Sequence, residues 1–300
     1  MSFKDTLLGL LIIVIWGVNF VVIVWGLDGV PPLLMGALRF IFIFCAGALF
    51  VKRPNIPFRW MVAYGLVLSF GQFALLFSAM SLGMPAGLAS LVLQSQALFT
   101  LIFAALILKE QIKIAQVLAM FIAGMGLFTI ASTGETSAMS GIGFALTLIG
   151  ASCWGIGNIV NRIISKKGFK PGMDLVVWSA WIPIIPFLIS SYFIEGPDLI
   201  VASLMAFNWI SFLSIAYLAV AASIVGYGLW SYLLGQYPAA QVAPLTLGVP
   251  IIGISTSAFF LNETISNIQW AGSALVLLGL IINAFGTKLS IKLKALRMKV

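Results

Sequence analysis

The chain is poor in charged residues and contains no histidine. Only 8% of its 300 residues are Asp, Glu, Lys or Arg, whereas 62% are hydrophobic, and the mean hydropathy is +1.15. A water-soluble domain carries roughly a quarter of its residues as charges, because its surface must be solvated by water. The composition therefore excludes a soluble globular domain and predicts an integral membrane protein.

Cysteine is also scarce, since the chain has only Cys45 and Cys153. Both lie within apolar stretches, where we expect a buried thiol that packs as a small hydrophobic group. Two isolated cysteines without histidine give no basis for a disulfide or for a zinc-type ligand cluster. We therefore expect no metal site and no cofactor.

Long apolar runs occur ten times along the chain. Each approaches the roughly 20 residues that a helix needs to cross a hydrocarbon core of about 30 Å. Backbone groups in lipid must bond within each segment, and the runs lack the short alternating pattern of a membrane barrel. The sequence thus predicts an all-α integral membrane fold with ten transmembrane helices. They lie near residues 6–27, 33–51, 60–81, 85–108, 114–131, 141–161, 174–194, 209–232, 239–261 and 268–287.

Basic residues fall on one side of this membrane pattern. If the N-terminus is cytoplasmic, fifteen of the sixteen Lys and Arg residues are cytoplasmic too, and Arg39 is the exception. Lys- and Arg-rich loops stay in the cytoplasm during insertion, so we expect both termini inside a bacterial inner (plasma) membrane. The loops on the other side carry acids and no base: Asp28, Glu135, Glu195, Asp198 and Glu263.

The net charge of +8 is therefore a signal of topology. A nucleic-acid interface would need a folded basic surface outside the membrane, and the longest basic segment is a short cytoplasmic tail at residues 288–300. We expect the lipid bilayer and a small-molecule substrate as partners, and no nucleic acid.

The sequence repeats itself in two halves, residues 6–131 and 141–287. A shift of 153 residues aligns six identities, among them Tyr64 with Tyr217 and Glu110 with Glu263. Near the start of each half a Trp-Gly pair, at residues 16–17 and 154–155, is followed by an asparagine. The second half is longer, and we expect the extra residues in loops at 166–170 and 197–208. Because each half has five helices, the second is inverted, which is typical of secondary transporters.

Several motifs resemble those of one known family. They are the two Trp-Gly openings, Arg39-Phe40, residues 84–90 at the start of the fourth helix, and Lys109-Glu110 after its end. Together they are similar to an EamA-type member of the drug/metabolite transporter superfamily over essentially the whole chain. Residues 83–96, 225–228 and 242–245 are similar to bacterial exporters of O-acetylserine and cysteine. The resemblance implies export of small amino acids or related metabolites by alternating access.

The residues within the apolar spans also bear on functions other than export. An importer, or an exporter of another small metabolite or a drug-like amphiphile, is the alternative. A membrane-embedded enzyme needs a catalytic acid, base, nucleophile or metal in a cavity, and the apolar spans offer only neutral amides, hydroxyls and two thiols. We therefore expect that the protein is not an enzyme. A channel is disfavoured as well, because helices interrupted at corresponding depths in two halves suit a gate on each side of the membrane.

The fourth and ninth spans carry residues that point to a solute site near the membrane midplane. Pro244 and Pro250 remove amide donors, so the ninth span is predicted to be kinked or unwound near its centre. Ser90 and Gln94 share one face of the fourth span, whereas Gln96 points elsewhere. We interpret Gln96 as a link between helices, and leave Gln94 open between that role and a cavity.

Further candidates lie at similar depth in other spans. Trp16 with Asn19, and Trp154 with Asn158, would each present an aromatic ring and an amide on one helix face. Such a wall suits a small amphiphilic metabolite, although tryptophan beside glycine also fills helix crossings. Two more residues complete the predicted substrate-binding set: Gln72 and Tyr227, the latter within one of the family motifs.

Arg39 lies about six residues into the second span, roughly 9 Å from its outer end at 1.5 Å per residue. A charge at that depth is costly unless it reaches water, a partner or the interface. Three hypotheses follow: the side chain snorkels outward, bonds to helix-end carbonyls, or receives a substrate carboxylate.

Acidic residues are missing from the interior of the predicted spans. All eight lie at or beyond helix ends. Acids and histidines are the usual proton carriers within membranes. We therefore expect facilitated export or exchange, not proton antiport through a buried acid, with sodium on unwound carbonyls as an alternative.

The fifth and tenth predicted helices are each preceded by an acid and each contain glycines. Glu110 and Glu263 precede the fifth and tenth helices, where an anion is stabilised by about 0.3 to 1 kcal/mol. That role is expected, with a gate-closing ion pair as the alternative. Four glycines on those two helices permit close backbone contact, either within the fold or between protomers, so a homodimer is left open. They are Gly124, Gly126, Gly272 and Gly279.

Overall fold

The computed structural model describes residues 1–133 and 139–297, which form helices and no strand. Glu135 and Lys299 lie outside the described residues. The helices are α1 Phe3–Leu27, α2 Pro32–Gly47, α3 Phe58–Ser81, α4 Ala86–Leu108, α5 Ile114–Ala131, α6 Gly141–Lys166, α7 Met173–Glu195, α8 Pro197–Met205, α9 Trp209–Gln236, α10 Ala243–Leu261 and α11 Asn267–Arg297. A single helical turn, Ala239–Val242, leads directly into α10.

Ten of these helices correspond to the predicted spans. In the described ranges, nine are long and apolar enough to cross a membrane, and α2 is a shorter apolar helix of 16 residues. At 1.5 Å per residue α2 is about 24 Å long. Its predicted end at residue 51 is wrong, because the backbone turns after Gly47. The all-α integral membrane architecture is confirmed.

One prediction about connecting segments is corrected. Residues 197–208 were expected to form a loop, but α8 occupies most of them, with Pro197 in its first turn, where the missing amide costs nothing. Residues 288–300 were predicted as a basic cytoplasmic tail, and the backbone of α11 is helical in this segment as far as Arg297.

Five of the described membrane helices are interrupted, and four of them at corresponding places in the two halves. The fifth, α7, has a turn at Ala180 and ends in a π-helical segment, Ser191–Glu195. Wider π-helical turns occupy Gly65–Gly71 in α3 and Tyr217–Val225 in α9. Tighter 3-10 turns occupy Leu93–Ser95 in α4 and Ala243–Leu247 in α10. A shift of 153 residues places the first π-helical turn within the second and makes the two 3-10 turns overlap at their ends. Such interruptions are frequent at functional sites.

The prolines of α10 act differently from one another. The 3-10 turn begins with Ala243 and Pro244, so the interruption exists but lies before the centre of the helix. Pro250 lies in the first turn of the following α-helical segment, Gly248–Leu261, where its missing amide is tolerated. Only the first of the two prolines therefore marks the break.

Contacts between the halves come in equivalent pairs. Helix α1 packs on α10 and α6 packs on α4, while α5 packs on α11. The Trp-Gly motifs explain the first pair. A Cβ on Gly17 would lie 2.5 Å from Ile252, and one on Gly155 would lie 2.9 Å from Phe99. Ile252 and Phe99 are themselves 153 residues apart, so each motif glycine admits the equivalent side chain of the other half.

Three of the four glycines on α5 and α11 bring those helices together within the chain. A Cβ on Gly126 would lie 2.6 Å from the Gly272 carbonyl, and one on Gly279 would lie 2.7 Å from the Ala119 carbonyl. Gly124 has nothing within 4 Å of its Cβ position. The close backbone contact therefore lies within the fold at these three positions.

Candidate substrate-binding site

A chamber of about 60 Å³ lies between the two halves at the level of the helix interruptions. Eight of the eleven predicted substrate-binding residues line it: Trp16, Asn19, Arg39, Gln72, Ser90, Gln94, Trp154 and Tyr227. Asn158 lines only the neighbouring cavity, and Pro244 and Pro250 line neither. The sequence pattern thus brings most of its polar candidates to one place.

A larger cavity of about 300 Å³, called the vestibule below, adjoins the chamber. Trp16, Trp154 and Tyr227 line both spaces. The vestibule extends along α6 and α9 as far as Gly172 and Leu234, near the ends of the helices that carry basic loops. The chamber therefore adjoins a cavity that extends toward this end of the helix bundle.

The guanidinium of Arg39 is turned into the protein. Its residue is 2% exposed, and its Nη2 donates a hydrogen bond of 3.0 Å to the Ser223 hydroxyl. Ser223 in turn donates to the Leu218 carbonyl in the π-helical turn of α9. The Arg39 guanidinium carbon lies 3.9 Å from the centre of the Phe73 ring, a cation–π contact.

This geometry decides two of the three hypotheses for Arg39. Outward snorkelling is wrong, because the side chain is buried against Phe73. Bonding to helix-end carbonyls is wrong as well, since the bonded partner is a side-chain hydroxyl. Buried Nε and Nη1 have no partner among the described residues. Capture of a carboxylate remains.

Two carboxamides of the chamber are also incompletely bonded. Asn19 is 9% exposed and Gln72 is 1% exposed. The side-chain oxygen of each is buried and has no hydrogen-bond partner within the described part of the chain. Buried polar atoms are usually bonded, so both oxygens are available to a donor in the chamber.

Aromatic rings form one wall of the chamber. The Trp16 indole nitrogen donates to the Ala222 carbonyl at 2.9 Å, which fixes the ring. Its ring lies 5.4 Å from that of Tyr227 and 5.5 Å from that of Trp230. Trp16 therefore combines both of its expected roles, because it packs between helices and faces the cavity.

The polar residues of α4 divide between cavity and helix contacts. Gln94 lines the chamber and donates to the Thr246 carbonyl, at 3.2 Å, in the interrupted part of α10. Gln96 accepts a hydrogen bond of 2.8 Å from Asn158, so its role as a link between α4 and α6 is confirmed. Gln96 also lines both the chamber and the vestibule, and Asn158 lines the vestibule.

Ser90 lies where α4 crosses α10. Its hydroxyl donates to the Gly87 carbonyl at 2.6 Å, and a Cβ on Gly253 would collide with it. Ser90 thus packs at the crossing while one side borders the chamber.

Two carboxylates join the halves at the end of the bundle opposite the vestibule. Glu263 accepts from the amides of Ala86 and Gly87, at 2.7 and 3.0 Å, at the start of α4. Glu195 accepts from those of Leu33 and Leu34, at 2.6 and 3.1 Å, at the start of α2. We call these contacts the carboxylate clasps. Each satisfies free amides and places an anion at a positive helix end.

Glu110 occupies the equivalent position in the other half but has different partners. It forms ion pairs with Arg162, at 2.8 Å, and with Lys166, at 3.3 Å, on α6. Partial burial opposes ionisation, yet the hydrogen bond and charge of Arg162, followed by those of Lys166, hold the pKa of Glu110 below its ordinary 4.5. This contact lies at the vestibule end.

The expectation that Glu110 and Glu263 stabilise the helices that follow them is therefore wrong. Helices α5 and α11 begin only at Ile114 and Asn267, beyond the first-turn range of each charge. Glu263 caps a helix of the other half instead, and Glu110 forms the ion pair that was the alternative.

The chain matches the EamA-like transporter family twice, over residues 4–132 and 141–285. It belongs to that family. It is 47% identical to a probable amino-acid metabolite efflux pump of Salmonella typhimurium over 95% of this chain and 96% of the relative. It is 44% identical to a protein of the same description in Escherichia coli K12, over 96% and 97% of the two chains. The EamA family assignment makes the protein a transporter and not an enzyme.

A crystal structure of a protein that is 19% identical has a similar fold. The TM-score is 0.64, and the alignment covers 98% of this chain and 99% of the other. At this identity the likeness concerns the fold of this EamA-like transporter alone.

Three residues of the site were not predicted from the sequence. Ser223, Phe73 and Thr246 were not singled out, although they contact Arg39 or Gln94. The repeat offered a signal for Ser223, because a shift of 153 residues places Gln72 on residue 225, two positions from Ser223. Phe73 had no such signal among 23 phenylalanines.

The cysteines and acids add little chemistry to the chamber. Cys45 is exposed on α2, contrary to the expected burial, because that helix turns it toward the lipid-facing surface. Cys153 is partly buried, and both thiols are free. Among the side chains described around the chamber none is acidic, and the described residues contain no cluster suited to a metal ion.

Proposed function

We propose that this transporter exports small amino acids or closely related metabolites across the cytoplasmic membrane, and that the chamber is its binding site. The main support is a polar chamber between the halves that adjoins the vestibule. The relatives named as probable amino-acid metabolite efflux pumps support the choice of solute. The resemblance to O-acetylserine and cysteine exporters narrows the first compounds to test.

The proposed orientation places the vestibule toward the cytoplasm. The loops next to it carry Lys167 and Lys170, and the opposite end carries Asp198, Glu195 and Glu263. By the distribution of Lys and Arg, the vestibule end is cytoplasmic and both termini are inside. The structure then represents a state open to the cytoplasm, ready to receive a solute for export.

The two halves are proposed to be inverted repeats that exchange conformations. In the present state the clasp of Glu263 closes α4 against α10 at the outer end. A shift of 153 residues maps Glu263 onto Glu110 and Ala86 onto Ala239. In the opposite state Glu110 would therefore leave Arg162 and accept from the amides of Ala239 and Ala240, while Glu263 would be released. The vestibule would close as the outer end opens.

A transport assay tests this function. The purified protein is reconstituted in liposomes, and efflux of labelled L-cysteine, L-serine and O-acetyl-L-serine is measured together with a wider amino-acid panel. We expect saturable flux for at least one of them, reduced in Trp16→Ala and Gln94→Ala, with Ser81→Ala as a control because that serine is exposed. Flux equal to that of protein-free liposomes for the whole panel would refute the proposed substrate.

A further inference from the structure

The chamber contains unmatched donors and unmatched acceptors side by side. Guanidinium carries five N–H donors, but Arg39 makes only one described hydrogen bond, to Ser223. Its buried Nε and Nη1 have no described partner. Nη2 has two hydrogens and gives one to Ser223. One edge of the planar fork, formed by Nη2 with either Nη1 or Nε, therefore keeps both of its hydrogens, the geometry that binds a carboxylate through two parallel hydrogen bonds.

The acceptors are neutral. Asn19 and Gln72 line the same chamber as Arg39, and the buried side-chain oxygen of each is unpaired within the described residues. An ammonium group offers three donors and no acceptor, so carboxamide oxygens suit it. Aromatic faces such as that of Trp16 attract a cation as well.

We propose that the chamber is a subsite for the main-chain groups of a free α-amino acid. Arg39 receives the carboxylate on the guanidinium edge that Ser223 leaves unused, formed by Nη2 with Nη1 or with Nε, and the oxygens of Asn19 and Gln72 receive the ammonium group. This inference rests on the proposed transport function and adds to it the form in which the solute is bound.

The charge of the chamber favours this ligand over others. Arg39 is a buried cation, and no described side chain around it is acidic. A buried charge without a counter-ion is unfavourable, so a ligand must bring an anion. A simple amine would add a second positive charge, whereas a carboxylate beside Arg39 compensates the first and allows an ammonium group nearby.

Size divides the ligand between the two cavities. The chamber, at about 60 Å³, has room for small polar groups. The vestibule, at about 300 Å³, is lined by Trp16, Trp154 and Tyr227 where it adjoins the chamber. The side chain of the amino acid would extend into it. The transporter should therefore be strict about the main-chain groups and tolerant of side chains.

Analogues test the inference without altering the protein. L-cysteine, L-cysteinamide and N-acetyl-L-cysteine, under reducing conditions, compete with the labelled solute that is transported fastest, and the three serine analogues are tested likewise. The amide lacks the carboxylate and the N-acetyl compound lacks the ammonium group. We expect each to compete roughly 10- to 100-fold more weakly than the free amino acid, as for the loss of hydrogen bonds to a charged group.

Variants of Arg39 give an independent readout. The ratio compared is that of the half-inhibiting concentrations of the amide and the free amino acid. In Arg39→Gln this ratio should fall to near one, and Arg39→Lys should restore part of it, because lysine keeps the charge without the fork. Ser81→Ala is the control, since this exposed serine does not line the chamber, and it should retain the full ratio.

The outcomes separate the two proposals. If amides compete as well as free amino acids in the unaltered protein, the subsite is wrong while transport stands. The same holds if a solute without a carboxylate is the one transported. If no panel compound is transported or bound, the proposed function itself fails. Poor folding of Arg39→Gln leaves the analogue series in the unaltered protein decisive.

Discussion

The Arg39 guanidinium and the Ser223 hydroxyl lie 3.0 Å apart and join the two halves of the molecule beside the chamber. Arg39 belongs to α2 in the first half, and Ser223 belongs to the π-helical turn of α9 in the second. The Ser223 hydroxyl in turn donates a hydrogen bond to the Leu218 carbonyl. The position of the charge is thus set by a helix interruption.

Removal of that hydroxyl should therefore misplace the charge. In Ser223→Ala the hydrogen bond to a charged group is lost, which costs about 1.5 to 3 kcal/mol. We expect a lower melting temperature and a KM raised several-fold, with a smaller effect on the maximal rate. Thermal unfolding in detergent and efflux kinetics measure the two effects. An unchanged KM in a well-folded variant would contradict this role.

The motif glycines should be intolerant of any side chain. Gly17→Ala places a Cβ 2.5 Å from Ile252, and Gly155→Ala places one 2.9 Å from Phe99. Overpacking of this kind typically costs about 1 to 3 kcal/mol. Gly124→Ala is the control, because its Cβ position is open. Thermal unfolding should show losses for the first two and none for the third; equal behaviour of all three would be evidence against the packing.

Loss of a carboxylate clasp should open the outer end. Glu263→Gln weakens the bonds to the amides of Ala86 and Gly87. A reporter thiol is introduced as Ser90→Cys after both native cysteines are replaced by serine. We expect faster labelling of the reporter by an impermeant thiol reagent added outside. Asp198→Asn, which removes an exposed acid at the same end, should not change the labelling.

If Glu263→Gln labels no faster than the protein with Glu263 intact, the clasp does not hold the outer end closed. A labelling rate that rises equally in Asp198→Asn would point to a general effect of negative charge at that surface.

The ion pair of Glu110 should depend on pH in one direction. Its pKa lies below the ordinary 4.5, so the carboxylate stabilises the folded state above that value. As pH falls through the lowered folded pKa, Glu110 is protonated and the contribution is lost. The difference in melting temperature between Glu110 and Glu110→Gln proteins should therefore be constant from pH 5.5 to 8 and shrink below 4.5. A difference that grows toward low pH would contradict the sign.

Transport should not require a pH gradient. The chamber has no described acidic side chain, and the chain has no histidine to carry a proton. Efflux from liposomes at fixed solute gradient and fixed voltage should persist when the pH gradient is removed. A collapse of the rate would show coupling to protons by another route.

The sequence predicted the architecture well because lipid imposes simple constraints. Apolar length indicated the membrane helices, and Pro244 indicated the break in α10. The π-helical turns of α3 and α9 were not predicted, because they carry no proline. Burial of Arg39 could not be predicted, because an arginine near a helix end can snorkel or turn inward at similar cost. Its inward course depends on Ser223 and Phe73, which come from distant parts of the chain.

Side-chain partners at the helix ends were also beyond prediction. Glu110 and Glu263 precede helices, and local rules assign them to those helices. The actual partners are Arg162 for Glu110 and Ala86 for Glu263, and each comes from the opposite half. Asn158 lines the vestibule, but its hydrogen bond to Gln96 could be seen only once α4 and α6 were packed together.

Counterflow in liposomes tests alternating access most directly. Liposomes containing the purified protein are loaded with unlabelled L-cysteine, or with the amino acid transported fastest, and labelled amino acid is added outside. A carrier whose chamber faces one side at a time must accumulate label transiently above equilibrium, with saturation, and only when the inside is loaded. Uptake that rises linearly with concentration and ignores the internal amino acid would contradict a chamber that opens to one side at a time.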